Sequence, residues 1–370
     1  MTSVHRVLWV LYAGRGMFLS AAEVAARAGL TARPVASAVA ALRERGQAVE
    51  ESPQGLRLGE PVMLHAHLIE HELGTRRVGR NAICFGEVAS TNDVAFDSAR
   101  QAGSDGLAVL AESQTAGRGR LGRRWVSPRG ANLLISALLH DGAGRLSDEA
   151  LTIAAGLAAT EAIEQATGVS PELKWPNDLV LDGAKLGGIL VEVRAAPLRS
   201  TGPNVPADIP NSSSGGTQDR KNGGKSQTTA ARFASIVCPQ GRLDLARSPR
   251  FIVIGIGLNV NAAPPAEAVG RAAVCLADAL GHAVERIELA RAMLMRLDHW
   301  VGQIEDGRYG QLHDLWRARC GMLGQRARIV SGGRTYEGRV LDVSPLEGLV
   351  LSQDSGVTVH LPARTSSVVP

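Results

Sequence analysis

The sequence predicts an α/β (α+β) protein with three successive regions, and three observations support this fold class. Roughly the first 60 residues carry apolar side chains at helical spacing around a short glycine turn. The middle of the chain alternates strand-like apolar runs with helical segments, and the last part contains short alternating segments separated by glycine turns. We therefore expect a helical domain, a central mixed sheet rather than a doubly wound parallel one, and a small antiparallel β-barrel.

The N-terminal region has the pattern of a winged helix-turn-helix. An apolar helix over 4–13 precedes Ser20, which lies three residues before Glu23 and so has the spacing of a capping box. A third helix is expected from Thr31 to about Arg45, followed by two short strands that form a wing.

The third helix is the candidate DNA-recognition helix, but its composition is unusual for base reading. Alanine occupies positions 36, 38, 40 and 41, where arginine, lysine, asparagine or glutamine is needed to read base edges. Only Arg33 and Ser37 are DNA-binding candidates. Two interpretations are equally supported: a domain that reads an operator, and a retained helical module that stabilises or regulates the rest of the chain.

The remaining chain divides by composition into a linker, a central domain and a C-terminal domain. Strand-like runs and long apolar helices fill the central part, and the C-terminal part has four short alternating strands. From 197 to 231 the composition is Ser, Gly, Thr, Asn and Pro with scattered charge, which predicts a disordered insertion in a hairpin connection, followed by a strand at 233–237. The expected divisions are 1–60, 61–80, 81–321 and 322–370.

A loop between two apolar runs, residues 117–125, crowds four arginines and three glycines into nine positions. Like charges this close repel one another, so the pattern indicates a loop that an anion gathers and orders. Glycines let the backbone approach a ligand, and guanidinium groups bind phosphate or carboxylate through two hydrogen bonds. The alternative is an exposed basic turn.

A second segment favours the anion-binding interpretation. Lys174 ends one strand, Asp182 and Gly183 form a turn, and Lys185 begins the returning strand. A lysine entering an apolar strand either reaches water or meets a buried negative group, and the glycines at 187 and 188 leave room for a ligand. We interpret Lys185 as a site residue rather than an edge lysine.

Five segments of the chain occur in the order found in a known family. The segments are Ser90-Thr91-Asn92, Gln114 with Gly117-Arg118-Gly119-Arg120 and Trp125, Lys174-Trp175-Pro176-Asn177-Asp178, Lys185-Leu186-Gly187-Gly188-Ile189-Leu190-Val191-Glu192, and Gly255-Ile256-Gly257-Leu258-Asn259-Val260. With them the sequence resembles the biotin protein ligases (biotin–[acetyl-CoA-carboxylase] ligases), specifically the longer bacterial class that includes the biotin operon repressors. The family usually has a much shorter connection where residues 197–231 lie.

The resemblance implies a fold, an activity and partners. It implies a biotin/lipoate-ligase-type central domain and an SH3-like C-terminal barrel. The implied enzyme uses ATP with Mg2+ to convert biotin to biotinyl-5′-AMP and transfers biotin to a lysine of a biotin carboxyl carrier protein domain. It also implies a homodimer that forms more readily with ligand, and a possible operator DNA partner.

The resemblance assigns site residues at matching positions, with no metal ligand among them. The catalytic candidates are Lys185, Arg118, Arg120 and Asp178. The candidates for binding biotin are Ser90, Thr91, Asn92, Gln114, Gly117, Arg118, Arg120, Lys185, Gly188 and Gly255. The candidates for binding ATP or the adenylate are Arg118, Arg120, Arg123, Arg124, Trp125, Lys174, Asn177, Lys185 and Asn259. Two alternatives stay open: Ser90 and Thr91 are also natural helix caps, and Asp178 could equally orient Lys174 or Lys185.

Composition bounds the remaining possibilities. Four scattered cysteines form no metal-ligand or disulfide spacing, and no long uncharged apolar run suits a membrane span, so we expect a cytoplasmic protein with no membrane partner. The net charge of +4 is compatible with anionic ligands. His65, His67 and His71 are interpreted as one face of a linker helix rather than as a metal site. The alternative functions are a lipoate or octanoyl ligase and a biotin-sensing transcription regulator without transfer activity.

Overall fold

The N-terminal part of the chain folds as three helices and a hairpin. The computed structural model describes residues 2–196, 249–344 and 348–369. Helices α1 (Ser3–Ala13), α2 (Ala21–Ala28) and α3 (Ala32–Glu44) are followed by strands β1 (Val49–Ser52) and β2 (Gly55–Leu58). The capping box forms as expected, because the Ser20 hydroxyl accepts from the amide of Glu23 and the Glu23 carboxylate accepts from the amide of Ser20. Thr31 precedes α3 but makes no side-chain capping bond.

The exposed face of α3 differs in one respect from the sequence expectation. Arg33, Ser37, Ala36 and Ala40 are exposed, whereas Ala38 is fully buried in the core. Ala38 is therefore a packing residue of the core and not a lost base contact.

A seven-stranded sheet forms the centre of the molecule. Its order is β3-β4-β5-β9-β8-β7-β6, and all neighbouring pairs are antiparallel except β3 with β4. The expected mixed sheet is therefore confirmed. The strands are β3 (Ala82–Phe85), β4 (Ala108–Ala111), β5 (Leu133–Asp141), β6 (Glu172–Lys174), β7 (Asp178–Leu181), β8 (Ala184–Ala195) and β9 (Arg250–Leu258).

Helices cover the two faces of this sheet differently. Helices α6 (Asp148–Thr167) and α9 (Arg286–Glu305) pack against each other and against one face, with α10 (Tyr309–Ala318) beside α6. Most of α6 is buried, which agrees with its nearly continuous apolar composition. Helix α5 (Thr91–Ser98) covers part of the opposite face, where Phe96 packs with residues of β4, β5 and β9. The rest of that face is left open for a pocket.

The segment between the first two regions is ordered and joins them. It contains helix α4 (Ala66–Glu70). The buried carboxylate of Glu112, at the end of β4, accepts from the amide of Leu64 at 2.6 Å and pairs with Arg286 of α9 at 2.6 Å. Arg286 also donates to the carbonyl of Val62. The linker is therefore anchored by a buried ion pair that also hydrogen-bonds its backbone.

The linker histidines have a partner that the sequence did not indicate. His67 stacks on His5 of α1 with ring centroids 4.5 Å apart, and His71 lies 4.0 Å from the ring of Trp9. The helix-face interpretation was incomplete, because α1 folds back onto α4 and brings a fourth histidine into the group. Within the described residues, no group of three or more His, Cys, Asp or Glu side chains could hold a metal ion.

The C-terminal part is a second sheet, with order β13-β12-β11-β10-β14 and antiparallel pairing throughout. Its strands are β10 (Arg326–Ser331), β11 (Arg334–Ser344), β12 (Gly348–Ser352), β13 (Thr358–Leu361) and β14 (Ser366–Val369). The sequence predicts the first four, and β14 was missed because Ser-Ser-Val-Val is too short for an alternating signal. Two short helices, α7 (Ala266–Val269) and α8 (Leu276–Leu280), lie between β9 and α9.

The predicted insertion at 197–231 and the predicted strand at 233–237 lie outside the described residues. The flanking strands β8 and β9 are antiparallel neighbours that are paired up to Ala195 and Arg250. The predicted hairpin to a strand at 233–237 stays a prediction. In the described part of the chain, no helix is long and apolar enough to cross a membrane.

Candidate functional site

A cavity of about 800 Å³ opens on the face of the sheet that α5 leaves uncovered. Its floor is a strip of glycines: Gly188 of β8 lies opposite Gly257 of β9, and Gly255 pairs with Leu190. A Cβ atom at Gly255 would come within 2.4 Å of the Asn92 side chain, and one at Gly257 within 2.6 Å of the Trp125 ring. Glycine is therefore required at these two positions, because any side chain would collide with Asn92 or Trp125.

One end of the cavity is a network of uncharged polar side chains, which Asn92 joins to the Glu192 carboxylate by donating to Oε2 at 2.6 Å. The Thr91 amide and hydroxyl lie 2.7 and 3.1 Å from Gln114 Oε1, and the Ser136 hydroxyl lies 2.7 Å from Thr91 Oγ1 and 2.6 Å from Asn92 Oδ1. Ser90 stands at the N-cap of α5 without a side-chain capping bond. The capping alternative therefore does not account for the Ser90 or Thr91 hydroxyl.

Contacts within the protein hold the arginine loop, residues 117–125, in place without a ligand. Arg118 contacts Asp93 at 2.5 Å and Glu192 at 3.2 Å, which raises the pKa of Arg118 and lowers that of Asp93. The loop also closes on its own backbone, where the amide of Gly119 donates to the carbonyl of Arg123 at 2.7 Å. The expectation of four mutually repelling arginines was wrong for Arg118, because two carboxylates distant in the sequence balance its charge.

The other arginines of the loop have different surroundings. Arg120 donates to Asn177 Oδ1 at 3.4 Å and to the carbonyl of Ala363 in the C-terminal part, and burial lowers its pKa. Arg124 is exposed and donates to the carbonyl of Thr115, and Arg123 is exposed at the rim. All three line the cavity.

The opposite end of the cavity is built around Asp178. Its Oδ1 atom lies 2.5 Å from Lys185 Nζ, and its Oδ2 atom accepts from Arg271 at 2.8 Å. The side chains of Asp178 and Lys185 are only 14% and 16% exposed. Burial raises the pKa of Asp178, but the two cations outweigh it and leave that pKa below its usual value. Burial, together with the charges of Arg271 and Arg123, lowers the pKa of Lys185 below its usual value, although Asp178 acts to raise it.

The contacts of Asp178 show which lysine it orients, and they add Arg271 to the site. Asp178 orients Lys185 and not Lys174, for which no side-chain contact with Asp178 is found, although Lys174 pairs with Asp178 through the backbone and lines the cavity. Arg271 was missed by sequence reasoning, because it belongs to no recognisable motif and lies 93 positions from its partner. Lys174 and Lys185 are the only lysines in the described part of the chain, and both line the cavity.

Two buried polar atoms in the cavity lining have no hydrogen-bond partner among the described residues: Nε1 of Trp125, a donor, and Oδ1 of Asn259, an acceptor. The Asn259 amide group is held by the carbonyls of Lys185 and Val274, which leaves its oxygen free. Unsatisfied buried polar groups are costly, so both atoms are suited to a polar ligand.

Other lining residues were also missed by sequence reasoning. Ser367, Val368 and Val369 of the C-terminal strand β14 reach the cavity wall, and Trp175 donates to the carbonyl of Ser344. Asp93 and Glu192 lie beside the cavity and hold Arg118. Glu192 could have been found from its place in the segment that begins at Lys185, whereas the C-terminal residues carry no signal.

Comparisons with known proteins agree on one family. Residues 85–201 match the profile of the Biotin/lipoate A/B protein ligase family. The chain is 30% identical to the biotin–[acetyl-CoA-carboxylase] ligase of Mycobacterium tuberculosis over 293 residues, which cover 74% of this chain and 87% of that protein. It is 26% identical to the bifunctional ligase/repressor BirA of Bacillus subtilis over 347 residues, covering 92% of this chain and 91% of that protein.

A solved structure has the same fold. The biotin protein ligase of Aquifex aeolicus in complex with biotin and ATP aligns with a TM-score of 0.56 at 22% identity, covering 78% of this chain and 99% of that one. The shared fold and the family match thus place the chain among the protein ligases of the biotin and lipoate type. Within that class, the chain belongs to the biotin protein ligase family.

Proposed function

We propose that the protein activates biotin with ATP to form biotinyl-5′-AMP and then transfers biotin to a lysine of a biotin carboxyl carrier protein domain. The observation that carries the proposal is the division of one cavity into a neutral hydrogen-bonding end and a cationic end above a glycine floor. A neutral ring and an anionic phosphate group need these two environments side by side.

The neutral end suits the ureido ring of biotin, which has two N–H donors and one carbonyl acceptor. Gln114, Thr91, Asn92 and Ser136 supply acceptors and donors in a connected, largely buried network. The apolar chain of biotin would run along the glycine strip, where the backbone is uncovered. We also assign to the biotin site three residues of the cavity wall, Ser90, Gly188 and Gly255, and the adjacent Gly117.

The cationic end suits ATP, and the structure offers groups for both the base and the phosphates. The free Oδ1 of Asn259 and the free Nε1 of Trp125 match the donor and acceptor groups that adenine, ribose and phosphate provide. Arg120, Arg123, Arg124, Lys174, Asn177 and Lys185 provide the cations and the amide around the phosphates. Magnesium would enter bound to the ATP phosphates, since Asp178 is already engaged by two cations and is poorly placed as a metal ligand.

The chemistry follows from this placement. In the first step a biotin carboxylate oxygen bonds to the α-phosphorus, the α–β bridging bond breaks, and pyrophosphate leaves with the electron pair. In the second step a lysine amine bonds to the acyl carbon, AMP leaves, and the amine loses one proton. Negative charge concentrates at the α-phosphate in both steps, so Lys185 and Arg120 would stabilise the transition states. Arg118, held by carboxylates, would instead fix the loop that closes over biotin.

We assign the domains as a winged helix-turn-helix at 1–60, a linker at 61–80, a catalytic domain at 81–321 and an SH3-like domain at 322–370. The three helices with their two-stranded hairpin and the five-stranded antiparallel sheet support the first and last assignments. The C-terminal domain contributes to the site through β14 and through the contact of Arg120 with Ala363.

The function is tested by incubating the protein with ATP, magnesium, an apo carrier domain and either biotin or lipoate, and weighing the carrier by mass spectrometry. We expect one added biotin per carrier with release of AMP and pyrophosphate. Lipoyl addition would support the lipoate ligase alternative. No modification, together with tight biotin binding, would support a biotin-sensing regulator.

A repressor role is a second candidate, supported by the relationship to a bifunctional ligase/repressor and by the helix-turn-helix. Exposed Arg33 and Ser37 on α3 are the only base-reading candidates beside exposed alanines. We expect a cytoplasmic protein, consistent with the free thiols of Cys84, Cys275 and Cys320, and homodimerisation enhanced by ligand. Titration with DNA from the biotin-synthesis promoter, with biotin and ATP present, is expected to show binding close to that of random DNA. Binding roughly a thousandfold tighter than to random DNA would establish the repressor role.

A further inference from the structure

We propose that Arg271 binds the pyrophosphate leaving group of ATP, so that it serves adenylate formation and not the later transfer of biotin. This inference rests on the proposed ligase function and assigns one more residue to it. Three observations carry it: the position of Arg271, the charge balance of the cavity, and the free donors of its guanidinium group.

The position of Arg271 is determined by the backbone of Lys185. The Lys185 amide donates to the carbonyl of Ala272 at 3.1 Å, and the amide of Val274 donates to the carbonyl of Lys185 at 3.0 Å. These two hydrogen bonds pair the segment after α7 with Lys185, the second residue of β8. The strand that carries the lysine therefore also places the arginine at the same end of the cavity.

The charge balance shows that this end is built for more than one negative group. Among the described residues, the side chains that line the cavity include seven cations and one carboxylate: Arg118, Arg120, Arg123, Arg124, Lys174, Lys185 and Arg271 against Asp178. Arg118 is balanced from outside the lining by Asp93 and Glu192. The remaining excess of positive charge lies around Asp178, where a polyphosphate would balance it.

The two cations on Asp178 differ in what they can bind. Lys185 is nearly buried and holds its ammonium group 5.5 Å from the centre of the Trp125 ring, so it acts as a point charge on one phosphate. Arg271 is 32% exposed, and only one of its nitrogens, Nη1, hydrogen-bonds a described residue. The free face of its planar fork can bind two phosphate oxygens at once.

Asp178 has a definite role in this arrangement. A carboxylate in an anion site would oppose the ligand if it stood alone, but here it occupies one donor from each cation before ATP arrives. It therefore holds both side chains in place, and the phosphates bind to the donors that remain. After pyrophosphate leaves, Arg271 has no further phosphate to bind and keeps only Asp178, whereas Lys185 still faces the α-phosphate of the adenylate.

The test measures the two half-reactions separately in Arg271→Gln and Arg271→Lys. Adenylate formation is followed as pyrophosphate release from biotin and ATP, and transfer is followed by supplying biotinyl-5′-AMP and an apo carrier. We expect Arg271→Gln to slow adenylate formation by about 100-fold, mainly through a higher KM for ATP, and to leave transfer within about twofold. Arg271→Lys should fall between, because it restores the charge but not the fork.

A direct readout is the binding of inorganic pyrophosphate by calorimetry, which Arg271→Gln should weaken at least tenfold. The matched control is Arg326→Gln, which removes an exposed arginine that pairs with Asp354 and does not line the cavity; it should change neither half-reaction. Equal losses in both half-reactions would overturn the inference and make Arg271 a positioning residue for Asp178. Wild-type adenylate formation and pyrophosphate binding in Arg271→Gln would also overturn it. If the wild-type protein forms no adenylate, the proposed function fails, and pyrophosphate binding alone decides the role of Arg271.

Discussion

At the scale of single residues, Lys185 contributes to the structure through its backbone and to the site through its side chain. Its backbone joins β8 to the segment that carries Arg271, and its ammonium group pairs with Asp178 inside the cavity. A substitution removes only the contribution of the side chain. The fold should therefore tolerate changes at this position while the chemistry does not.

We expect Lys185→Ala to lower the rate of adenylate formation by about 100- to 1000-fold, because the positive donor for the α-phosphate is lost while the backbone pairing stays. Pyrophosphate release from biotin and ATP measures this rate. The thermal unfolding midpoint serves as the control for folding. A rate near that of the wild-type protein would remove Lys185 from the catalytic residues.

Arg120 connects the arginine loop to the C-terminal sheet through the carbonyl of Ala363. We expect Arg120→Gly to let the activated intermediate escape, because the loop loses its contact across the cavity mouth and shields the adenylate less well. Labelling of a carrier domain is compared with labelling of an unrelated bystander protein. The control is Arg334→Gly, an exposed arginine of β11. Labelling confined to the carrier in the Arg120 variant would contradict this role.

At the scale of secondary-structure elements, α1 and α4 are held together by stacked histidines. Burial lowers the pKa of His65 and of His67 to about 4, and the charge of nearby His5 adds to the effect in both. His71, Arg45 and the N-terminus are the other neighbouring cations that act on this pair. The contact between the two helices thus depends on neutral imidazole rings.

The pH dependence of stability follows from the sign of these shifts. Because the folded-state pKa values lie below the ordinary value of 6.5, the unfolded chain binds protons first as the pH falls. The contribution of this pair to the free energy of unfolding is complete above about pH 6.5 and is lost progressively towards pH 4.

We expect the double variant His65→Gln with His67→Gln to lose less thermal stability than wild type between pH 7 and pH 5. The exposed His360→Gln variant should behave as wild type, and an identical pH dependence in the double variant would refute the explanation.

At the scale of the whole molecule, the N-terminal and C-terminal parts are attached to the central sheet at different places. The linker is tied to β4 and α9 through Glu112 and Arg286, next to the segment that leads to Gln114. The C-terminal sheet is tied through Trp175 and Arg120 at the cationic end. The C-terminal part therefore contributes to the wall of the cavity, whereas the linker contacts the chain two residues before Gln114.

The chain between β8 and β9 leaves the sheet at the end away from the cavity. Ala195 is ten residues along β8 from Lys185, which is about 33 Å of extended chain. We expect deletion of 202–229, which lies outside the described residues, to change kcat and KM by less than about twofold, because the polar composition of this segment offers few native contacts. Steady-state biotinylation of the carrier measures both constants. A large loss of activity in a soluble deletion variant would show that this segment acts at the site or recruits the carrier.

The sequence alone determined the features that depend on neighbours along the chain. The capping box of Ser20 and Glu23, the turn at Asp182 and Gly183, and the long helix that begins after Ser147 were all predictable, because caps, turns and apolar periodicity are local. The glycines of the cavity floor and Lys185 were also predictable as site candidates, since their residue types are out of place in ordinary apolar strands.

Only the tertiary structure decided which charges meet. The pairing of Arg271 with Asp178, the balance of Arg118 by Asp93 and Glu192, and the stacking of His5 on His67 each join residues that are 25 to 93 positions apart. No local pattern records such contacts, because they depend on sheet order and on how strands and helices bring their side chains together. The sequence therefore determined where cations and glycines stand along the chain, and the fold decided which of them remain available for a ligand.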